Sequence, residues 1–520
     1  MESLAETQWD VVISGTGLAQ SLLALALSRS GKKVLHVDKN PYYGSAEAAF
    51  SLQEAQEWVD RLRQEPGRAP FEDVSIYSPP VESGASKLSS SRAYTLSLSP
   101  HLIYCRSQLL PSLVSSKVYR QLEFQAVGSW WIYRSPSAVE ADGTDSASLQ
   151  RVPSSREDVF ADDNISAKAK RTLMKLLRHI SQPPQEEDSS AAEQEDLDLP
   201  FADYLASRFQ IPSELYDPLL SLSLSQSSPR QTRASYAVPR IKRHLASIGV
   251  YGPGFGSLLA KWGGGSEISQ VGCRALAVGG GVYVLDRGIQ SVTPSKDETD
   301  DPCLVLELSN GDSIRTKFVV GSPWDLPAET LKQQPSCRKV ARSISVVSSS
   351  LDSLFPATSE GGPIPSGAVV VFPGNTLSAA DDAPPVYLLV HSGDTGECPV
   401  GQSVVHGSVS LPGEEGQTLL DLAVQKLLQN FTSGDGTPTV LWSLRYTQLG
   451  LTSEDGDASR TVLSSSVSDK ILSFPPPSLE LAFDDGLVDA VKTAWKAVMG
   501  DEAKDEEFMK FEDRPGVEEE

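Results

Sequence analysis

The sequence predicts an α/β (α+β) chain: a dinucleotide-binding fold whose large sheet domain is discontinuous and carries a smaller, inserted helical domain. Three observations predict it. Residues 10–44, "DVVISGTGLAQSLLALALSRSGKKVLHVDKNPYYG", read as strand, glycine turn, helix and second strand ending on an acid. The texture turns helical between about residues 152 and 248. Glycine-flanked strands then return from about residue 266.

Each element follows from its residues. Val11-Val12-Ile13 is a short apolar strand, and Gly15-Thr16-Gly17 turns it into a helix. That helix is apolar on most sides (Leu18, Leu22, Leu23, Leu25, Ala26, Leu27), as one between a sheet and other elements must be. Gly31 stops it, and Val34-Leu35-His36-Val37 is the second strand, closing on Asp38. A polar linker spans 78–92; "YTLSLSPHLIY" then alternates as a strand, a short apolar helix covers 109–114, and "VYRQLEFQAVGSWWIYR" adds aromatic-rich strands. Ser154 and Ser155 before Glu157 and Asp158 form a capping box. Beyond it, Ile165, Ala169, Leu173, Leu176, Leu177 and Ile180 share one helix face, with Lys168, Lys170, Arg171, Lys175 and Arg178 in solvent. Residues 183–199 are acidic, low in complexity and expected to be disordered. Helical patterns resume at 201–209, 213–224 and 235–248.

The second sheet region contains "GGGVYVLDRGIQSV", a hairpin turning at Asn310-Gly311, and strands near 343–348, 368–372, 386–391, 403–410 and 440–446. Helices are expected at 418–429 and 487–499. The implied division is 1–151 (first part of the large domain), 152–248 (helical), 249–500 (second part) and 501–520, an acidic, disordered tail.

Composition excludes several functions. The formal charge of −23 leaves nothing to offset phosphate repulsion, so no nucleic-acid partner is expected. Five scattered cysteines without a CxxC pair fit a reducing compartment, and six dispersed histidines without HxxxH or HxH spacing predict no metal site. The acidic start lacks a signal peptide, the apolar run 18–27 is too short to span a membrane, and the terminal "PGVEEE" is no prenylation box. A cytosolic, soluble chain is expected.

A nucleotide site needs backbone N–H groups at a helix N-terminus, glycines for close approach and an acid for the ribose. Gly15, Gly17 and Asp38 match those parts, but Gln20 stands where the third glycine belongs and is expected to push the helix off the strand, narrowing the cofactor's space. No GxSxG elbow or HExxH accompanies the fingerprint, and His36 reads as a packed strand residue rather than a base. The reading is a cofactor fold with no cofactor and no catalytic residue.

Four segments resemble the Rab GDP-dissociation inhibitor and Rab escort protein superfamily. They are "GKKVLHVDKNPYYG", "SSSRAYTLSLSPHLIY", "LVSSKVYRQLEFQAVGSWWIY" and "EISQVGCRALAVGGGVYVL", the last matching a Glu-x-x-Gln…Arg…Gly-Gly-x-Tyr block. In order, they cover most of residues 8–290. The resemblance implies a flavoprotein-like large domain, a helical domain that shelters a geranylgeranyl lipid, and binding of Rab GTPases instead of redox chemistry. Carried over residue by residue, it implicates Tyr43, Glu267 and Arg274 in Rab binding, with Val282 and Val284 at neighbouring contact positions and Arg92 from the Arg–aromatic segment. An internal salt bridge between Glu267 and Arg274, two helical turns apart, is the alternative role for that pair. Ser45 replaces a glycine after PYYG, the approach to Glu267 is longer than usual, and Gly272 replaces a common Phe.

The inserts, the tail, Cys273 and "VLWSLRYTQ" (440–448) resemble the escort branch. That branch implies an accessory (component A) role with the α/β heterodimer of Rab geranylgeranyltransferase. GDP-bound Rab is presented for prenylation, and the prenylated Rab is delivered transiently to membranes. A Rab GDP-dissociation inhibitor and an FAD-dependent oxidoreductase are the alternatives. The resemblance does not name the residues lining the lipid pocket; the apolar face from Leu173 to Ile180 is the candidate.

Overall fold

The computed structural model describes residues 4–512, apart from 65–66, 81–87, 136–147, 154–158, 161–164, 182–190, 296–302, 333–335, 359–360, 381, 433–435, 453–460 and 466. The Ser154–Asp158 capping box, much of the 78–92 linker and residues 513–520 of the tail lie outside the described residues.

Two large sheets organise the chain, and both take strands from either side of the helical segment. The first runs in the order 282–284, 34–37, 8–14, 313–321, 304–308, 289–294, with Ile471–Ser473 also pairing to 313–321. Gln8–Ser14 lies parallel to both Val34–Val37 and Ser313–Gly321, the arrangement a βαβ crossover produces. The second sheet is ordered 71–77, 440–450, 338–347, 403–409, 386–392, 367–372, 124–134, 257–260, 103–104. The expected α/β fold, of the type that carries a dinucleotide in other proteins, therefore holds. "YTLSLSPHLIY" is not one strand but two short ones, Leu96–Ser97 and Ile103–Tyr104, in different sheets.

Leu18–Leu27 is buried on nearly every side because it is sandwiched between the first sheet, the helix Gly265–Val278 and the helix Gly486–Met499. Its approach to Gly265–Val278 is set by glycine. A Cβ on Gly272 would stand 2.5 Å from the Ser21 carbonyl oxygen, and one on Gly279 would stand 1.9 Å from that of Ser28. Gly272 and Gly279 are seven residues apart, as are Ser21 and Ser28, so the two helices meet along one seam of small residues.

The helical segment contains Ala167–Ser181, Ala191–Asp198, Tyr216–Ser223 and Ala234–Ser247 around a core of Leu173, Leu176, Ile180, Phe201, Leu219 and Ile241. Residues 191–198 correct the expectation of a disordered acidic stretch: they are helical, and Asp196 pairs with Arg208. The tail expectation needs the same correction over residues 501–512. Met509 is 1% exposed, Phe511 donates its N–H to the Ser115 carbonyl (3.0 Å), and Asp505 pairs with Lys492 and Lys496. Three apolar side chains, Phe508, Met509 and Phe511, outweigh the surrounding charge. Among the described residues, no helix is long and apolar enough to cross a membrane.

Candidate functional site

At the end of the first strand, Gly15 adopts φ +89°, which only glycine takes without strain, and the chain enters the helix at Leu18. In a cofactor enzyme the N–H groups here face pyrophosphate. In this chain they face carboxylates. Thr16 donates its N–H (2.7 Å) and its hydroxyl (2.6 Å) to Asp38 Oδ2, and Leu18 N–H donates to Glu47 Oε2 at 3.1 Å. Gln20 Nε2 donates to Asp325 Oδ2 at 3.0 Å, and Asp325 lies so close over the turn that a Cβ on Gly15 would be 2.3 Å from that oxygen.

Gln20 therefore acts differently from expectation. It stays packed in the turn and holds a distant carboxylate over it. Asp38 is occupied as well, accepting from Asn40 N–H at 2.7 Å besides Thr16. Two backbone donors that a dinucleotide's phosphates would use are thus held by buried acids, Thr16 N–H by Asp38 and Leu18 N–H by Glu47, while Asp325 is held over the turn by the Gln20 and Ser322 side chains. His36, fully buried, has its Nε2 2.6 Å from the Gly15 carbonyl oxygen, and burial lowers its pKa to about 4.

The same contacts hold the next loop. Gly44 N–H donates to Thr16 Oγ1 at 2.8 Å, and Gly44 needs its φ of +99° and its missing Cβ to pass Ala48. Tyr42 turns inward onto Phe50, while Tyr43 points out, 37% exposed, stacked on Tyr283 with ring centroids 5.2 Å apart and planes at 3°. Tyr283 in turn meets His36 edge-on at 5.0 Å. On the neighbouring helix, Glu267 and Arg274 form an exposed 2.7 Å ion pair with each other. Such a pair contributes roughly 0–1 kcal/mol, so a partner can exchange it cheaply.

The expected residues are thus only partly one surface. Tyr43 stacks on Tyr283, and Glu267 and Arg274 lie on the helix Gly265–Val278, which packs against the strand carrying Tyr283. Val282 and Val284 lie on the same edge strand, but strand alternation turns them to the opposite sheet face, against the cluster containing Leu35 and Val37. Arg92 is exposed on the separate turn Ser91–Ala93, whose Ser91 Oγ accepts Gln53 N–H at 2.7 Å. Sequence reasoning passed over Tyr283, although the alternation of Val282-Tyr283-Val284 marks it as facing the helix side.

A second feature lies in the helical segment. A cavity of about 370 Å³ opens among Leu173, Met174, Leu177, Leu219, Leu222 and Leu245. Part of the 165–180 apolar face lines it, whereas Leu176 and Ile180 are buried in the core.

The acids on the glycine turn make stability pH-dependent. Burial raises the Glu47 pKa to about 7; burial and the nearby Asp325 charge raise that of Asp38 to about 6. A raised acid pKa means the folded state binds the proton more tightly than the unfolded one. That contribution is full below the ordinary Glu value of 4.5 and is lost as pH rises through about 7. Glu47→Gln keeps an acceptor for Leu18 N–H and removes the titration. The variant is expected to gain on the wild type by on the order of 2–3 kcal/mol across this window, read from urea unfolding at a series of pH values. A difference independent of pH would contradict the assignment.

The family model described as GDP dissociation inhibitor matches residues 5–369. The Rab proteins geranylgeranyltransferase component A of Candida albicans is 30% identical over 406 residues, 76% of this chain and 58% of that protein. Rab escort protein 1 of Arabidopsis thaliana is 24% identical across 98% of this chain and 95% of that protein. The chain spans 58% and 66% of the lengths of the Candida and Saccharomyces cerevisiae component A proteins. A crystal structure of a Rab GDI from Plasmodium falciparum shares the fold, with TM-score 0.64 at 18% identity, covering 95% of this chain and 98% of that one.

Proposed function

The chain belongs to the GDP dissociation inhibitor family, and from that premise we propose that it acts as a Rab escort protein. It binds newly made, GDP-bound Rab, presents it to the α/β heterodimer of Rab geranylgeranyltransferase, and carries the prenylated product to membranes. It works in the cytosol and touches membranes transiently. Its part is binding, not bond-making, and it needs no cofactor.

One observation carries this reading: an outward aromatic beside an exchangeable Glu–Arg pair occurs in the same chain as an apolar helical cavity. Tyrosine and arginine are favoured interface anchors. The cavity suits a lipid, each buried CH₂ of which is worth roughly 0.8 kcal/mol. Strong lipid affinity opposes release into water and favours handover at a bilayer. The escort reading is preferred to the inhibitor because the Candida albicans and Arabidopsis thaliana relatives carry the component A and escort names, the latter covering 98% of this chain.

Tyr43→Ala and Arg274→Ala are each expected to weaken Rab capture by about 1–3 kcal/mol while the chain stays folded. Unchanged affinity in both variants would remove the surface assignment. A prenylation assay with purified transferase and one Rab separates the two branches of the family. Equal prenylation with and without this chain rejects the escort role.

A further inference from the structure

Histidines that look dispersed in the sequence meet in the second sheet. His391 lies on Val386–Ser392 and His406 on the antiparallel neighbour Ser403–Val409. The register pairs Leu389 with His406 and His391 with Val404, so both imidazoles project from the same face. The connecting loop returns Glu397 between them. His391 Nδ1 lies 2.9 Å from Glu397 Oε2, and His406 Nε2 lies 3.1 Å from the same oxygen. All three side chains are at most 3% exposed.

As a hydrogen-bonded cluster alone, this arrangement is incomplete. Both rings address one carboxylate oxygen, while the other, Oε1, is buried without a partner, as is His406 Nδ1. The donor atoms lie within 4.8 Å of one another. Closing on an ion with bonds of about 2.0–2.2 Å asks for sub-ångström adjustments of the side chains. The next residue, Cys398, directs its Sγ to the Gln402 carbonyl at 3.4 Å, so thiolate is not among the donors.

We propose that His391, Glu397 and His406 form a binding site for a divalent transition-metal ion, Zn²⁺ by its donor set of two imidazoles and one carboxylate. The ion's charge offsets that of Glu397, and its bonds clamp the 393–402 loop onto two strands. The role is structural. This loop holds two other segments through its main chain, since Thr95 N–H donates to the Glu397 carbonyl and Trp262 N–H to that of Thr395, both at 3.0 Å. The earlier expectation of no metal site rested on local spacing, which misses partners brought together across a hairpin.

The test uses the full chain, stripped with a chelator, dialysed and titrated calorimetrically with Zn²⁺, with Co²⁺ as a spectroscopic substitute. One tight equivalent is expected, with a rise in melting temperature on Zn²⁺ addition. Co²⁺ d–d bands should appear without thiolate charge transfer. Glu397→Gln and His406→Gln should each lose the equivalent, and His179→Gln, outside the cluster, should keep it. A stripped wild-type chain that takes up no tight equivalent overturns the proposal, as does an equivalent retained in both cluster variants. The wild-type titration decides even if a variant fails to fold.

Discussion

Gly279→Ala is expected to destabilise the chain by about 3 kcal/mol, and Gly272→Ala by less, in urea unfolding monitored by tryptophan fluorescence. Gly279 has φ −76°, which alanine adopts freely, so backbone strain plays no part. The cost comes from a methyl group placed 1.9 Å from the Ser28 carbonyl oxygen; the corresponding distance at Gly272 is 2.5 Å, to Ser21. Both obstacles are main chain, which no rotamer change relieves, so the helix Gly265–Val278 must move off Leu18–Leu27. Glu267 and Arg274 ride on that helix, and Tyr283 follows it through Gly279-Gly280-Gly281. Rab affinity should therefore fall with stability. Wild-type stability in Gly279→Ala would show that the two helices are not held at this separation.

Met174→Trp is expected to lower affinity for geranylgeranylated Rab on the order of 100-fold, about 2.7 kcal/mol, and to leave unprenylated Rab within about twofold. The loss corresponds to three or four methylenes denied burial, at roughly 0.8 kcal/mol each. Met174 is a partly exposed residue on the wall of the 370 Å³ cavity, so a larger side chain can fill the space without displacing the core leucines behind it. Fluorescence titration against both Rab forms provides the comparison. An equal loss for the two would place the lipid elsewhere.

Local patterns made part of this molecule legible. Gly15, Gly17 and the apolar helix identified the opening unit, because a turn and a helix face are written in consecutive residues. The resemblance carried Tyr43, which is the outward member of its pair, while Tyr42 is inward. What stayed hidden depends on distance along the chain. Asp325 reaches the glycine turn from 305 residues beyond Gln20, and no local motif announces it. Met174 and Leu177 lay on the suspected face, but Leu219, Leu222 and Leu245 complete the cavity only through tertiary packing. Val282 and Val284 face the opposite side of the sheet from Tyr283, packed against the cluster containing Leu35 and Val37. Residues 501–512 read as solvated because their acids outnumber the three apolar side chains that dock them. Gly272 looked like a lost aromatic, and its use became visible only opposite Ser21.

The short chain of bonds from Asp38 through Thr16 to Gly44 has a consequence for what this scaffold can become. The acid that would otherwise bind a ribose now shapes the tyrosine loop, and the helix terminus that would bind phosphate is committed to Glu47 three residues past that loop. One set of donors therefore fixes both the glycine turn and the tyrosine loop. Freeing those donors for a phosphate ligand would require releasing the loop that carries Tyr43, so the conformation of the turn and the position of that loop can only change together.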